Sequence, residues 1–239
     1  STPIKSSAAS DVYKRQIIGF IICLSSCGKD YVYRIEGELS NLEDQTVYAV
    51  FEKDNYKVVD TVACTKPGQF QIDQNEAGFH CVTIFFADKE HWVTAYLEPG
   101  ETVKITGDAN SPLLLQVKGG RTNDKLTAFK KKIAPLLTEL TNLSNSLNSK
   151  DLNDTIEETD IAARLANVNM QLSEEAIRYV KENPNEEASV VLIQSFFSDP
   201  DDTRKIDELL ALLNPRLKDF YLVKELEPVS YTHLTLPTT

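Results

Sequence analysis

The hydrophobic pattern of this chain changes once, at the adjacent glycines Gly119 and Gly120. Before them, from residue 31 onward, apolar and polar residues alternate in short runs separated by turn residues, which is typical of β-strands. After them, apolar residues recur every three or four positions, which is typical of amphipathic helices. The change therefore predicts an α+β chain, with an all-β domain over residues 28–120 and a helical segment over residues 121–228.

The first region is expected to contain about eight short strands, because turn residues interrupt it at short intervals. In the first run, Tyr31, Tyr33 and Ile35 fall on one face. The other predicted strands cover residues 46–51, 56–64, 69–72, 79–87, 91–97, 102–106 and 113–117. Short strands at this spacing predict an antiparallel β-sandwich or a barrel-like domain.

Prolines and Asn- and Ser-rich stretches divide the helical region. We expect Thr122 to cap the first helix and Pro135 to kink it or to end its first segment. Residues 144–154 are rich in Asn and Ser, so we expect a loop or a frayed helix end there. Further helices are predicted over residues 155–182 and 187–197, from residue 199 to 213, and from residue 214 to 225.

The charge of the chain argues against nucleic acid as a partner. There are 25 Lys and Arg against 36 Asp and Glu, a net charge of −11, whereas phosphate neutralisation needs clustered basic residues. The one basic run, Lys130, Lys131 and Lys132, is interpreted as a solvated helix face. With 41% hydrophobic residues, the chain has the composition of an ordinary globular protein.

Both ends of the chain lack the patterns of strands and helices. Residues 1–16 and 229–239 resemble translated sequencing-library adaptor, with DVYKRQ and VSYTHLTLP as the characteristic strings. The alternative is a natural disordered terminus. In either case we leave both ends out of the fold prediction, and we expect the chain to be an internal piece of a longer protein.

An uncharged apolar run at residues 17–24 precedes Cys27. It is too short to span a bilayer, which needs about 20 apolar residues, but it suits the apolar region of a signal peptide. Residues 24–27, Leu-Ser-Ser-Cys, resemble a bacterial lipobox. This implies a signal-peptide remnant over residues 17–26 and an acylated Cys27 that binds membrane lipid. A buried apolar strand that ends in Cys is the alternative.

The remaining thiols and the histidines are candidates for reactive or metal-binding groups. Cys64 and Cys81, both on predicted strands, are a possible disulfide in an oxidising compartment, and two separate buried thiols are the alternative. A metal cluster of His80, Cys81 and His91 is disfavoured, because neighbours on a strand point to opposite faces. No Cys-x-x-Cys, phosphate-binding glycine motif or nucleophile elbow occurs in the sequence. We therefore predict no catalytic residue, no metal and no cofactor.

Two aromatic residues are candidates for a ligand-binding groove. Trp92 and Tyr96 lie close to the turn at residues 98–100, where aromatic side chains could line a small groove. Packing in the protein core is the alternative for both.

The β-region resembles a known family through the order of its short motifs. These motifs are Ile35-x-Gly37, Val47-Tyr48, Val59-Asp60-Thr61, Gly68-Gln-Phe70 and Leu97-Glu-Pro-Gly100 followed by Val103-x-Ile105-x-Gly107-Asp108. They resemble the domain of unknown function that precedes the thioredoxin-like domain in envelope lipoproteins of the TlpA-type thiol–disulfide oxidoreductase group. Asn183-Pro184 and Asn214-Pro215-Arg-Leu217 resemble the helical connector of that family. The resemblance covers about residues 31–226.

In that family the reaction belongs to a C-terminal thioredoxin fold with a Trp-Cys-x-x-Cys motif, so no catalytic residue is carried over to this chain. The resemblance implies a non-catalytic accessory region of a membrane-anchored oxidoreductase. Its partners would be envelope protein thiols or disulfides, and it would lie in the bacterial cell envelope facing the periplasm. The alternative is a periplasmic lipoprotein module that binds a glycan or a peptide.

Overall fold

The computed structural model describes residues 31–43, 46–54, 56–86, 90–148, 155–197 and 204–232. The lipobox and Cys27 lie outside these residues, as do the apolar run before them and the last residues of the C-terminal stretch.

The described strands form two sheets of four strands each. The strands are β1 (Tyr33–Ser40), β2 (Thr46–Lys53), β3 (Tyr56–Ala63), β4 (Gln69–Gln74), β5 (Cys81–Phe85), β6 (Trp92–Tyr96), β7 (Thr102–Asp108) and β8 (Gln116–Lys118). One sheet has the order β4-β1-β7-β8 and the other the order β3-β2-β5-β6. The predicted strands are confirmed except for the last, where a 3-10 helix, Pro112–Leu114, precedes the shorter β8.

The two sheets pack face to face around one hydrophobic core. Alternate residues of β2, namely Val47, Ala49 and Phe51, are buried in it together with Tyr33 and Ile35 of β1. The predicted sandwich is therefore confirmed. It is not antiparallel throughout, because β1 and β7 run parallel. A parallel pair needs a long connection, and the strands between β1 and β7 supply it.

The helices follow the sandwich. They are α1 (Arg121–Lys132), α2 (Ala134–Asn148), α3 (Thr155–Glu182), α4 (Glu187–Phe197), α5 (Arg204–Leu210) and α6 (Tyr221–Thr232), with a 3-10 helix, Pro215–Asp219, before α6. The bounds predicted for α3 and α4 are confirmed, as is the break near Pro135, since α1 and α2 are separated at Ile133. Among the described helices, none combines the length and the apolar character needed to cross a membrane.

Three helix predictions need correction. Thr122 is not a cap: α1 begins after Gly120, and the Thr122 hydroxyl instead donates to Glu187 Oε2 at 2.9 Å. Helix α2 continues to Asn148, because hydroxyls such as that of Ser146 bond to the carbonyl one turn earlier rather than breaking the helix. The last helix does not begin at residue 214: Pro215–Asp219 is a separate 3-10 helix, and α6 begins at Tyr221 and continues beyond Pro228 to Thr232, into the stretch for which no helix was predicted.

Helix α1 lies against one strand edge of each sheet. The buried Asn123 side chain donates to the Tyr96 carbonyl of β6 at 2.7 Å and accepts the Tyr96 N–H at 2.9 Å. One turn later, the buried Thr127 hydroxyl donates to the Val117 carbonyl of β8 at 2.5 Å and accepts the Val117 N–H at 3.1 Å. The two side chains share one face of the helix, so α1 connects the two sheets and belongs structurally to the β-domain.

Candidate functional site

The candidate site is a cavity of about 580 Å³ between the outer face of β6 and helices α1 to α4. The strand contributes Trp92, Thr94 and Tyr96, and the helices contribute mostly apolar side chains such as Leu137 and Leu172. Its volume lies within the range of about 300–1,000 Å³ that is common for small-molecule sites.

The two aromatic residues that the sequence singled out both line this cavity. Trp92 is 54% exposed and Leu113, another lining residue, is 42% exposed, so these two side chains lie where the cavity opens to solvent. Tyr96 is half-buried, and burial raises the pKa of its hydroxyl. The geometry thus brings the predicted groove residues together; that a ligand binds there stays a prediction.

Lys130 is the one charged residue that lines the cavity within the described part of the chain. Its Nζ donates to the Leu115 carbonyl at 3.5 Å, and no described carboxylate forms an ion pair with it. Burial lowers the pKa of the Lys130 ammonium. The predicted solvated face is therefore wrong for Lys130, although Lys131 and Lys132 are exposed. Consecutive helical residues point about 100° apart, so three adjacent lysines cannot share one face.

The remaining polar groups of the cavity are neutral. They are hydroxyl and amide groups on β6 and on helices α1, α3 and α4. Some are already bonded: the Thr94 hydroxyl is 3.1 Å from that of Thr83, and the Ser195 hydroxyl donates to the Val191 carbonyl at 2.8 Å. The cavity thus combines an apolar body, a single cation and a few neutral hydrogen-bonding groups.

The Cys81 thiol is buried on the outer face of the same sheet. It donates to Glu52 Oε2 at 3.5 Å, and burial, followed by the charge of Glu52, raises its pKa to about 12. The thiolate is the reactive form of cysteine, so this environment makes Cys81 a poor nucleophile. The Tyr221 hydroxyl of α6 is also buried. Burial is the main cause that raises the pKa of this hydroxyl, and the nearby Cys81 thiol is the second.

The possible disulfide between Cys64 and Cys81 does not form in this fold. Ala63, next to Cys64, pairs with Thr46 at one end of β2, whereas Cys81 pairs with Glu52 near the other end. Six residues along a strand correspond to about 20 Å, and the Cα atoms of a disulfide lie only about 4.4–6.8 Å apart. The structure therefore favours the alternative of two separate thiols.

A second, acidic cleft of about 410 Å³ lies beside α6. In it the His80 ring stacks on Tyr221 with a centroid distance of 4.2 Å, and His80 Nε2 is 3.1 Å from Asp54 Oδ1. His91 lies at the other end of the β5–β6 hairpin, since its carbonyl bonds to Phe86 N–H at 2.9 Å. Within the residues that the structure describes, no three His, Cys, Asp or Glu side chains are arranged to hold a metal ion.

The β-domain is also recognised by comparison with known families. A DUF4369 domain, described as a domain of unknown function, is found over residues 33–126. It covers all eight described strands and the first part of α1, including Asn123. No curated protein and no solved structure matches the chain.

The DUF4369 domain therefore forms one wall of the cavity. Strand β6 and Asn123 lie inside it, whereas Lys130 and helices α2 to α4 follow it in the chain. Neither Asn123 nor Lys130 was predicted from the sequence as a cavity residue. Their signal is the helical spacing of 123, 127 and 130, which places three polar residues on the face that also carries the buried stripe of α1.

Proposed function

We propose that this chain is the non-catalytic N-terminal accessory region of a membrane-anchored envelope thiol–disulfide oxidoreductase. The observation that carries the proposal is the DUF4369 domain over residues 33–126, together with the resemblance of its motifs to the domain that precedes a thioredoxin-like domain. The inert environment of Cys81 is consistent with it, because a buried thiol with a pKa raised to about 12 cannot supply a redox thiolate.

In this proposal the sandwich and the helices hold or present a redox domain that follows them. Acylated Cys27 anchors the protein to membrane lipid on the periplasmic side of the envelope. A thiolate of the following domain attacks a disulfide of an envelope partner, which releases one partner thiolate and leaves a mixed disulfide. The second thiol of that domain then displaces the other partner thiolate, so that the partner is reduced and the domain is oxidised to a disulfide. The sandwich and the helices take no covalent part in that exchange.

The test is the reading frame that continues beyond Pro228 in an uncontaminated genome assembly. We expect it to encode a thioredoxin-like domain with Trp-Cys-x-x-Cys, and a stop codon at that place would contradict the proposal. A second measurement uses the chain itself in an insulin-reduction assay. No activity above that of the Cys64→Ser/Cys81→Ser variant is expected, and robust reduction would overturn the non-catalytic role.

The cavity favours a second candidate, a binding module for an envelope ligand. The supporting observation is that Trp92 and Tyr96 line one cavity of about 580 Å³. Trp92 is the only tryptophan of the chain, so a ligand that enters the cavity is expected to shift or quench its fluorescence. Glycan and peptide ligands are screened by this fluorescence change. If no glycan and no peptide changes the Trp92 fluorescence, both ligand classes are contradicted.

A further inference from the structure

The cavity presents one cation in apolar surroundings. Lys130 of α1 lines it, and Trp92, Leu113 and Leu137 form part of its apolar lining. Taking an ammonium out of water is costly unless it is paired and hydrogen-bonded. Here the only bond that the described residues provide is the 3.5 Å contact with the Leu115 carbonyl, which is long for an N–H···O bond.

An anionic head group would supply the missing partner of Lys130. The chain has a net charge of −11. A lysine that lines a cavity and has no neighbouring carboxylate is therefore unusual in this protein. A carboxylate would accept a charge-assisted hydrogen bond from the ammonium. A phosphate carries more charge and ordinarily binds several basic groups or an arginine fork, and among the described lining residues there is a single lysine.

The apolar lining then determines the rest of the ligand. Trp92 and Leu113 at the mouth, together with Leu137, Leu140 and Leu172 along the helices, offer contacts to hydrocarbon. Transfer of each methylene from water to such surroundings is favourable. A sugar would leave most of its hydroxyl groups without partners against these side chains.

We propose that this cavity binds an amphiphile of the fatty-acid class, with its carboxylate paired to Lys130 and its hydrocarbon chain against Trp92 and the leucines of the helices. The inference rests on the second candidate function, that of a binding module, and names its ligand class. It does not depend on whether a redox domain follows.

The first experiment compares laurate with dodecanol, which has the same hydrocarbon chain and no carboxylate. Binding to the full chain is measured by quenching of Trp92 fluorescence and by calorimetry. We expect laurate to bind at least about tenfold more tightly than dodecanol, the ratio that corresponds to about 1.4 kcal/mol, because only laurate pairs with Lys130. Equal affinities would overturn the assignment of a carboxylate.

The second experiment changes the cation and leaves the cavity shape nearly intact. Lys130→Met is expected to weaken laurate binding about tenfold and to leave dodecanol binding unchanged, whereas Lys130→Arg retains laurate binding. Lys131→Met is the matched control, because Lys131 is exposed and does not line the cavity. Equal losses of laurate binding in Lys130→Met and Lys131→Met would overturn the pairing.

A third variant tests the location of the ligand. Ser173→Phe, on the α3 wall of the cavity, is expected to abolish binding of both compounds, and circular dichroism and thermal unfolding show whether the variant still folds. If it does not fold, the Lys130 pair of variants carries the test. Absence of binding of both laurate and dodecanol to the wild type would overturn the amphiphile as the ligand and leave the binding module to the glycan and peptide screen, whereas equal binding of both would overturn the carboxylate alone.

Discussion

The Asn123 side chain bonds to the edge of strand β6 in the way that the backbone of a neighbouring strand would. This side chain is 1% exposed, bonds to both backbone groups of Tyr96 and donates to the Gly119 carbonyl at 2.6 Å. A carboxamide can do this because it carries a donor and an acceptor side by side, as a peptide group does. The residue therefore fixes the start of α1 against β6.

Replacement of Asn123 by Ala is expected to destabilise the fold by about 2 kcal/mol, because it leaves partly buried backbone groups of Tyr96 and Gly119 without the bonds to this side chain. The measurement is urea unfolding followed by circular dichroism. Asn142→Ala is the matched control: Asn142 is exposed on α2, so this change is expected to stay within about 0.5 kcal/mol. Similar losses in both variants would contradict the role given to Asn123.

The pair of Arg121 and Glu186 makes stability depend on pH. The guanidinium donates to both carboxylate oxygens of Glu186, at 2.9 and 2.7 Å, and holds the pKa of Glu186 below its usual value of 4.5. A carboxyl group whose pKa is lower in the folded state stabilises the fold above its unfolded pKa. That contribution is lost as the pH falls through the lowered, folded pKa.

We therefore expect Arg121→Met to lower the free energy of unfolding near neutral pH and to have less effect in acid, where Glu186 is protonated in both variants. Urea unfolding over a series of pH values measures the difference between wild type and variant. Lys66→Met serves as the control, since Lys66 is exposed beside β4 in the sandwich. A difference that stays constant over the whole series would show that the ion pair is not its cause.

At the level of single residues, the sequence predicted part of the site. Trp92 and Tyr96 were predicted as groove residues because aromatic side chains beside a turn are visible in the sequence alone, and both line the cavity. Lys130 was predicted to lie on a solvated helix face, because charged side chains are usually exposed. Its true position depends on how α1 sits on the sandwich, which is set by the side-chain bonds of Asn123 and Thr127. The helical spacing of 123, 127 and 130 places the three residues on one face, but it does not tell which surface that face contacts.

Helix α1 is joined to β8 by a junction that accommodates only glycine. Gly119 has φ +101°, and a Cβ at this position would overlap the Thr102 carbonyl oxygen. The left-handed backbone alone disfavours a side chain, and the contact with a backbone atom of β7 adds a clash that no side-chain rotation relieves.

Gly119→Ala is expected to destabilise the chain by several kcal/mol, or to prevent folding. Gly100→Ala is the matched comparison: Gly100 has a similar φ of +82°, but a Cβ added there would have no neighbouring atom within 4 Å. Gly100→Ala should therefore lower the free energy of unfolding by only about 1 kcal/mol, which is the cost of the left-handed backbone conformation for alanine. Thermal unfolding of both variants measures the difference. Equal melting temperatures would show that the junction tolerates a side chain.

At the level of elements, the strands and the longer helices were predictable from the sequence. Helices α3 and α4 are bounded by Asn183-Pro184 and carry strong apolar periodicity, so their limits follow from local chemistry. The limits of α2 do not, because the Ser146 hydroxyl in its last turn bonds to the Asn142 carbonyl of the helix backbone. The parallel pairing of β1 and β7 is a tertiary property that local patterns do not encode.

In the whole molecule, the outer face of the β5–β6 hairpin is covered by the helical segment. Tyr221 of α6 packs against His80 and lies close enough to Cys81 for the two to perturb each other's pKa values. The reactivity of the Cys81 thiol therefore depends on whether α6 remains packed on the sandwich.

We expect Cys81 to react slowly with a thiol reagent at neutral pH, and Tyr221→Ala to raise its rate at least about tenfold, because exposure lowers a pKa that burial has raised. The assay uses a background in which the three other cysteines are Ser. Tyr56→Ala is the control, since Tyr56 is 54% exposed and removing it opens no covered surface. Equal labelling rates in all three proteins would contradict the proposed cover.

The position of α1 also limits how this molecule can associate with others. Unpaired strand edges are templates for pairing with a second chain. Asn123 bonds the backbone of Tyr96 at the end of β6, and Thr127 bonds the backbone of Val117 in β8. Among the described strands, the outer positions that remain are β3 and β4. Of these, β3 carries the 64% exposed Val59 between the charged Lys57 and Asp60. We therefore expect a fibre or a strand-exchanged dimer of this chain to begin along β3 or β4, and the charges of Lys57 and Asp60 oppose such pairing at β3.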